Sequence, residues 1–245
     1  MTDQPGAGFY DYIYLSPHFD DAVFSCGGQI AAQTAAGSTV LVVTVMAAPP
    51  AVKRFSDFAL ALHQTWGLGT QAVAIRIEED VASCAVLGAD HCHWPLSDCI
   101  YREGLVPRTW LYTSRAALFG PISPAEEAGA VRTVADLIRS LPLHRHLVVP
   151  LAVGHHVDHQ VVRRAAESVG STISYYEDLP YALVEGAVER ALGSWDGWTR
   201  EEIRLSPDQR RAKAQAMEAH ASQIIKYPQL RGDGAPALER LWRRG

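Results

Sequence analysis

The sequence predicts an α/β fold, a mostly parallel sheet covered by helices on both faces, and three observations carry that expectation. Short runs rich in β-branched residues, such as residues 39–47 (TVLVVTVMA), are apolar almost throughout, as central strands buried on both faces must be. Between these runs lie stretches of helical apolar period that close on a glycine, at Gly37, Gly88 and Gly170. The polar clusters fall just after predicted strands, where open α/β sheets place their chemistry.

Taken in order, residues 12–15 read as the first strand and residues 24–36 as a helix stopped by Gly37. The second strand, 39–47, is halted by Pro49 and Pro50, after which a loop is expected. Residues 72–87 carry a helical pattern ending at Gly88, and a short strand follows near His91. Residues 95–124 hold few regular signals and read as a loop-rich wall. A helix is expected over 124–140, a strand over 146–150, a helix over 157–169 and a strand over 171–176. Ser206-Pro207 is a good helix opening, a capping hydroxyl before proline at the first helical position, and that helix is expected to run to about residue 225 before a mixed tail. Neither repeat nor interdomain linker interrupts the pattern, so one domain is expected across 1–245, with a motif-bearing core over about 10–180 and a C-terminal strand and helix extension over about 190–245.

Composition limits the function classes. At 245 residues and 48% hydrophobic content the chain can bury one large core. Charged residues make up 20%, the net charge is −5, and lysine and arginine are scattered, so nucleic acid is an unsuitable partner. No apolar run of membrane-spanning length occurs and the first residues do not resemble a secretion signal, so a cytoplasmic protein is expected. Cys26, Cys84, Cys92 and Cys99 form no CxxC pair and read as reduced thiols. His91-Cys92-His93 lacks a second half with ligand spacing, and neighbouring strand residues point to opposite faces.

Two clusters carry the chemistry. Ser16-Pro17-His18-Phe19-Asp20-Asp21 follows the first strand, and His155-His156-Val157-Asp158-His159 follows the strand that ends at Pro150. So many carboxylates and imidazoles at a sheet mouth are costly to bury unless a cation offsets them, and zinc with an open position for water suits such donors. His18 and Asp21 stand three apart and share a face if the loop turns into a helix, whereas Asp20 is directed elsewhere and is free to act as a base. In the second cluster the pairs His156/His159 and His155/His159 are both admissible.

These residues resemble the LmbE-like or PIG-L superfamily of zinc-dependent N-deacetylases, marked by a PHPDDE-type and a later HPDH-type motif. Here they read Pro17-His18-Phe19-Asp20-Asp21-Ala22 and His156-Val157-Asp158-His159, and the likeness takes in Ser25-Cys26-Gly27-Gly28 and the order of elements to about Gly170. The resemblance implies a Rossmann-like three-layer α/β/α fold and one Zn2+ per chain, though other divalent metals satisfy the same ligands. It makes His18, Asp21 and His159 the metal ligands, Asp20 the general base and His156 the oxyanion stabiliser, with Asp158 orienting a neighbouring histidine. The implied activity is removal of an N-acyl group, N-acetyl in the first instance, from an amino sugar or glycoconjugate. The sequence departs from the pattern at Phe19 and at Ala22, which replaces a glutamate, and both departures leave the assigned ligands in place.

Outside the motifs, Arg76 can reach substrate or pair with Glu79 on its helix, and Asp98 can bind sugar hydroxyls. Tyr176-Glu177-Asp178-Leu179-Pro180-Tyr181 ends the last predicted parallel strand, and its acidic and aromatic side chains are expected to open onto the pocket; His155 is a further pocket candidate. Trp195 and Trp198 are expected to pack on the sheet rather than stack on sugar. The partner is a small-molecule substrate, with homo-oligomerisation left open. Two competing readings are an amidase acting on a thiol conjugate or natural-product intermediate, and a non-catalytic metal- or ligand-binding protein with Gly27-Gly28 near a phosphate. The second lacks a GxGxxG or Walker pattern, and its loop carries two carboxylates that would repel phosphate.

Overall fold

A computed structural model of the chain describes residues 8–50, 54–104, 109–170 and 172–245. Strand β1 (Tyr10–Ser16) leads into helix α1 (Asp21–Ala35), followed by β2 (Val40–Thr44), α2 (Asp57–Trp66), α3 (Ala72–Leu87) and β3 (Asp90–His93). The wall segment holds α4 (Arg115–Leu118), α5 (Pro124–Ala128) and α6 (Ala130–Arg139), and then come β4 (His144–Pro150), α7 (Val157–Val169) and β5 (Ile173–Tyr176). The chain closes with α8 (Ala187–Leu192), β6 (Trp198–Arg204), α9 (Pro207–Ala219), α10 (Ala221–Ile224) and β7 (Leu238–Arg244).

The seven strands form one sheet in the order β3-β2-β1-β4-β5-β7-β6. The first five are parallel, while β7 runs antiparallel to β5 and β6 antiparallel to β7. The α/β, mostly parallel arrangement is the expected one. Side-chain alternation divides the core: Ile13, Leu15, Leu41, Val43, Leu147 and Val149 pack on the face that carries α6 and α7. Tyr14, Val40, Val42 and Val148 pack on the opposite face against α1, α3 and α9. Because β1 lies between β2 and β4, the strand order reverses there, and the two loops leaving β1 and β4 splay apart over a crevice. Both polar motifs occupy those loops.

Several elements differ from the sequence expectation. The region after Pro50 contains α2, opened by Ser56, whose side chain accepts the Ala59 N–H at 3.0 Å. The helix expected over 124–140 is two helices parted at Gly129, a poor helix former. The one expected to reach residue 225 breaks at His220, whose ring is buried edge-on to Phe24. Strand β2 ends at Thr44, and Ser171, at the start of the expected last parallel strand, lies outside the described residues. Gly28 packs against Leu205, which a Cβ would meet at 2.2 Å, and its N–H donates to the Glu239 carboxylate at 2.9 Å. The pair Gly27-Gly28 therefore serves helix packing, which removes the structural basis for a phosphate site there. The four cysteines are buried and none is in a disulfide among the described residues.

Candidate metal and active site

The loop after β1 is shaped by its own side chains. Ser16 Oγ donates to the His18 carbonyl at 2.5 Å and accepts the Ala22 N–H at 3.0 Å, while the Asp21 carboxylate accepts the His18 N–H at 2.8 Å. Asp21 sits in the first turn of α1, where the helix dipole favours an anion. On the neighbouring strand, Val153, Gly154 and His155 carry the chain from β4 into α7, with His156 as the N-cap. Gly154 has φ +84° and a Cβ there would strike Tyr181, so this turn requires glycine.

The two loops bring three imidazoles together: nitrogens of His18, His156 and His159 lie within 4.8 Å of one another. The Asp21 carboxylate stands 3.2 Å from both His18 Nδ1 and His159 Nε2. Two overlapping donor sets therefore exist, one containing His156 and one containing Asp21, and the hydrogen bonds at the far side of each ring separate them. His18 Nε2 lies 2.9 Å from Asp158 Oδ2, and His159 Nδ1 lies 2.6 Å from Asp178 Oδ1. A carboxylate can only accept there, so each of those nitrogens carries its proton and leaves His18 Nδ1 and His159 Nε2 as lone-pair donors facing Asp21. His156 is the reverse, since its Nδ1 accepts the Asp158 N–H at 3.3 Å. Its Nε2 must then hold the proton in the neutral ring, making it a hydrogen-bond donor rather than a ligand.

The charge balance agrees with that division. Asp20, Asp21, Asp98, Asp158 and Asp178 surround the histidines, while arginines reach only two of them. Arg76 pairs with Asp20 at 3.0 Å and Arg102 with the fully buried Asp158. Burial alone would lower His18 and His159, yet Asp98, Asp158 and Asp21 hold His18 well above its ordinary value. Asp21 and Asp178 push His159 up to about 9 against the same burial. His156 is held well below its ordinary value by burial and by the neighbouring His18, which keeps it neutral. His159 Nε2 is buried and faces the Asp21 carboxylate at 3.2 Å, so without a metal the carboxylates draw a proton to the position a cation would take. Two imidazole nitrogens converging on one carboxylate, with protons that a metal can displace, fit a divalent cation.

Asp158 ties the site to the wall segment. Its Oδ2 also accepts the Cys99 N–H at 3.0 Å, and Arg102, paired with its Oδ1, lies 3.2 Å from Glu126. Asp158 is held well below the carboxylate range because the Arg102 and His18 charges outweigh its burial. Replacing Arg102 with methionine would leave a buried, uncompensated carboxylate, and the expected cost is about 3–5 kcal/mol in urea denaturation. A loss under about 1 kcal/mol would show that the pair behaves like a solvated one.

The remaining candidates divide. Arg76 and Asp98 line the cavity beside Asp20, and Arg76 pairs with Asp20 rather than Glu79, which instead accepts from Ser222 N and Oγ. Asp178 is fully buried, and besides His159 it accepts the Val153 N–H at 2.9 Å, so it holds a histidine where a pocket contact was expected. Tyr176 and Glu177 do not open onto the site. The Tyr176 hydroxyl donates to the Leu15 carbonyl inside the core, and Glu177 accepts from Nε1 of Trp242 on the adjacent strand β7 at 2.9 Å. His155 is exposed at φ +67° and does not line the cavity. His93 is engaged by Asp80 at 2.7 Å. Trp198 packs edge-on to Tyr175, and the half-exposed Trp195 lies against Trp242.

The cavity above the histidines measures about 270 Å³. Its floor is His18, Asp20, Asp21 and His156; one wall is Phe58, Leu62 and Trp66 of α2, and the other Leu118, Phe119 and Tyr181. The α2 wall has no counterpart in the sequence expectation, whereas Leu118 and Phe119 belong to the expected 95–124 wall and Tyr181 to the segment expected to open onto the pocket; together they present apolar surface to whatever is attached to the reacting group.

Residues 13–169 match the family described as GlcNAc-PI de-N-acetylase, PIG-L. A 2'-N-acetylparomamine deacetylase of Streptomyces fradiae is 32% identical over 186 residues, 72% of this chain and 60% of that protein. Its namesake from Niallia circulans is 27% identical over 80% of this chain and 74% of its own length. Among solved structures, the zinc-inhibited form of teicoplanin deacetylase Orf2 superposes with a TM-score of 0.78 at 28% identity, covering 94% of this chain and 96% of that one.

Proposed function

The chain belongs to the GlcNAc-PI de-N-acetylase (PIG-L) family of hydrolytic N-deacetylases, and from that premise we propose that it removes the N-acetyl group from an amino sugar carried on a larger aglycone. In this reading His18 Nδ1, Asp21 and His159 Nε2 hold one divalent cation, zinc by the chemistry of the donors. The observation that carries it is the convergence of those two nitrogens on Asp21 while Asp158 and Asp178 occupy the opposite side of each ring.

When bound, the cation supplies Lewis-acid polarisation of the amide carbonyl and lowers the pKa of water. Asp20 is the proton carrier: Arg76 engages its Oδ1, which fixes the carboxylate at the cavity floor and leaves Oδ2 to accept a proton from water. The carboxylic acid so formed returns that proton to the leaving nitrogen, releasing a free amine and acetate. His156, neutral and carrying its proton on Nε2, donates to the acyl oxygen as negative charge develops on it. Asp158 and Asp178 fix the tautomers of His18 and His159. Ala22, where relatives of the PHPDDE type carry glutamate, is fully buried in the apolar cluster around Tyr14 and Phe24, and the scheme assigns that position no role.

The names of the relatives, which refer to an N-acetylated aminoglycoside precursor and to teicoplanin, support an amino-sugar conjugate as substrate, and the apolar walls support a bulky aglycone. No helix among the described residues is long and apolar enough to cross a membrane, and the four buried thiols suit the reducing cytoplasm, where we place the enzyme. The test is product analysis on aryl glycosides of N-acetylglucosamine: acetate and primary amine should appear in equal amounts. Release of a thiol from an amide conjugate, with no acetate from any glycoside, would instead favour the amidase reading.

A further inference from the structure

The cavity is electrically two-ended. Its floor carries Asp20, Asp21 and Asp98, whereas its rim carries two cations, Arg115 of α4 and Lys226 just beyond α10. Neither rim cation has a carboxylate within ion-pair distance among the described residues. Arg115 lies over the Phe119 ring at 5.5 Å, and Lys226 Nζ lies over the Trp66 ring at 5.0 Å and donates to Gln223 Oε1 at 2.5 Å. The nearest acids are committed elsewhere, Asp20 to Arg76 and Glu79 to Ser222.

Partly desolvating an ammonium costs free energy, and an aromatic face with one neutral carbonyl offsets only part of it. Burial indeed pushes Lys226 down to about 8, against the pull of Asp20, so it remains cationic at neutral pH yet lacks an anion. In the deacetylase reading the acetamido group occupies the cation-holding floor, so an anionic group on the aglycone is left to meet the two unpaired cations, which orients a substrate with its acetamido end inward.

We propose that Lys226 and Arg115 form a rim subsite for an anionic group, a carboxylate or phosphate, on the aglycone of the amino-sugar substrate. The inference rests on the deacetylase reading above for the position of the sugar. Three aryl glycosides of N-acetylglucosamine test it, alike except for a para carboxylate, a para phosphate or a neutral para carboxamide. The wild-type enzyme should favour at least one charged glycoside over the carboxamide by about tenfold in kcat/KM, the gain of one charge-assisted contact, and which of the two is preferred identifies the anion. Lys226→Met should bring that ratio to within about twofold, Arg115→Met should lower it, and Lys226→Arg should retain it. Calorimetric binding of the same glycosides to Asp20→Asn reads the subsite without turnover. A charge preference in binding with no acetate released by the wild type would retain the subsite and contradict the deacetylase reading. Equal or undetectable binding of all three, or a preference that survives in both methionine variants, would overturn the subsite.

Discussion

Asp20→Asn is expected to keep a full complement of metal and to lose turnover by about 10²–10⁴-fold, the usual worth of a positioned acid–base group. Asparagine has nearly the same shape and its carbonyl oxygen can still accept from Arg76, so the floor of the cavity should stay in place. What disappears is basicity: an amide cannot take a proton from water at neutral pH or return one to the departing amine. Metal analysis and acetate release on the same sample check this. Loss of metal along with activity would mean that Asp20 is a ligand, and retention of activity would remove it from the proton path.

His159→Ala is expected to be the more damaging change, abolishing both metal retention and detectable acetate release. Its Nε2 is buried and faces Asp21, and without it Asp21 and His18 alone provide too few donors for a stable tetrahedral site. Asp178→Asn separates the ligand from its support. With the carboxylate gone from Nδ1, the ring is free to take the other tautomer, and metal affinity should fall by about 10–100-fold rather than vanish. His156→Ala decides between the two overlapping donor sets: metal should be retained while turnover falls. Metal lost from His156→Ala but retained by Asp21→Ala would transfer the ligand role to His156.

The part of the site that was legible in the sequence is the part encoded by contiguous residues at strand ends. His18, Asp20 and Asp21 leave β1 together, and His156, Asp158 and His159 leave β4 together, so spacing along the chain resembles spacing in space. Which of His155 and His156 enters the site was left open by spacing, because the turn at Gly154 and His155 has positive φ at both residues, and that geometry rotates His155 outward. After β5 the same logic misassigned neighbours. The alternation of a strand puts Tyr176 and Glu177 on opposite faces of the sheet, and only past the strand end does the chain return to the crevice, with Leu179, Pro180 and Tyr181 lining the cavity and Asp178 buried beside His159. Asp178 returns as support for His159, a role that depends on the parallel pairing of β4 with β5 and is invisible in a local window.

Arg102 and Lys226 were out of reach for a related reason: each acts across a large sequence separation, on Asp158 and on the Trp66 wall, from segments without regular pattern. Helix α2 did leave a signal, Ser56-Asp57 followed by Phe58, Leu62 and Trp66 at helical spacing, that the preceding prolines obscured. Strands β6 and β7 left little. Trp198–Arg204 is an edge strand whose exposed charges pair across to β7, Glu201 with Arg243 and Glu202 with Arg240, and such charges suppress the apolar alternation by which strands are read while protecting the edge.

The most direct test of the account is metal dependence of acetate release by the purified protein, measured before chelation, after chelation and after stepwise return of zinc and other divalent ions. The account predicts loss of activity on chelation and recovery that reaches its maximum near one divalent ion per chain. Full acetate release from chelated protein shown to be metal-free would contradict the central claim that His18, Asp21 and His159 work by holding a metal.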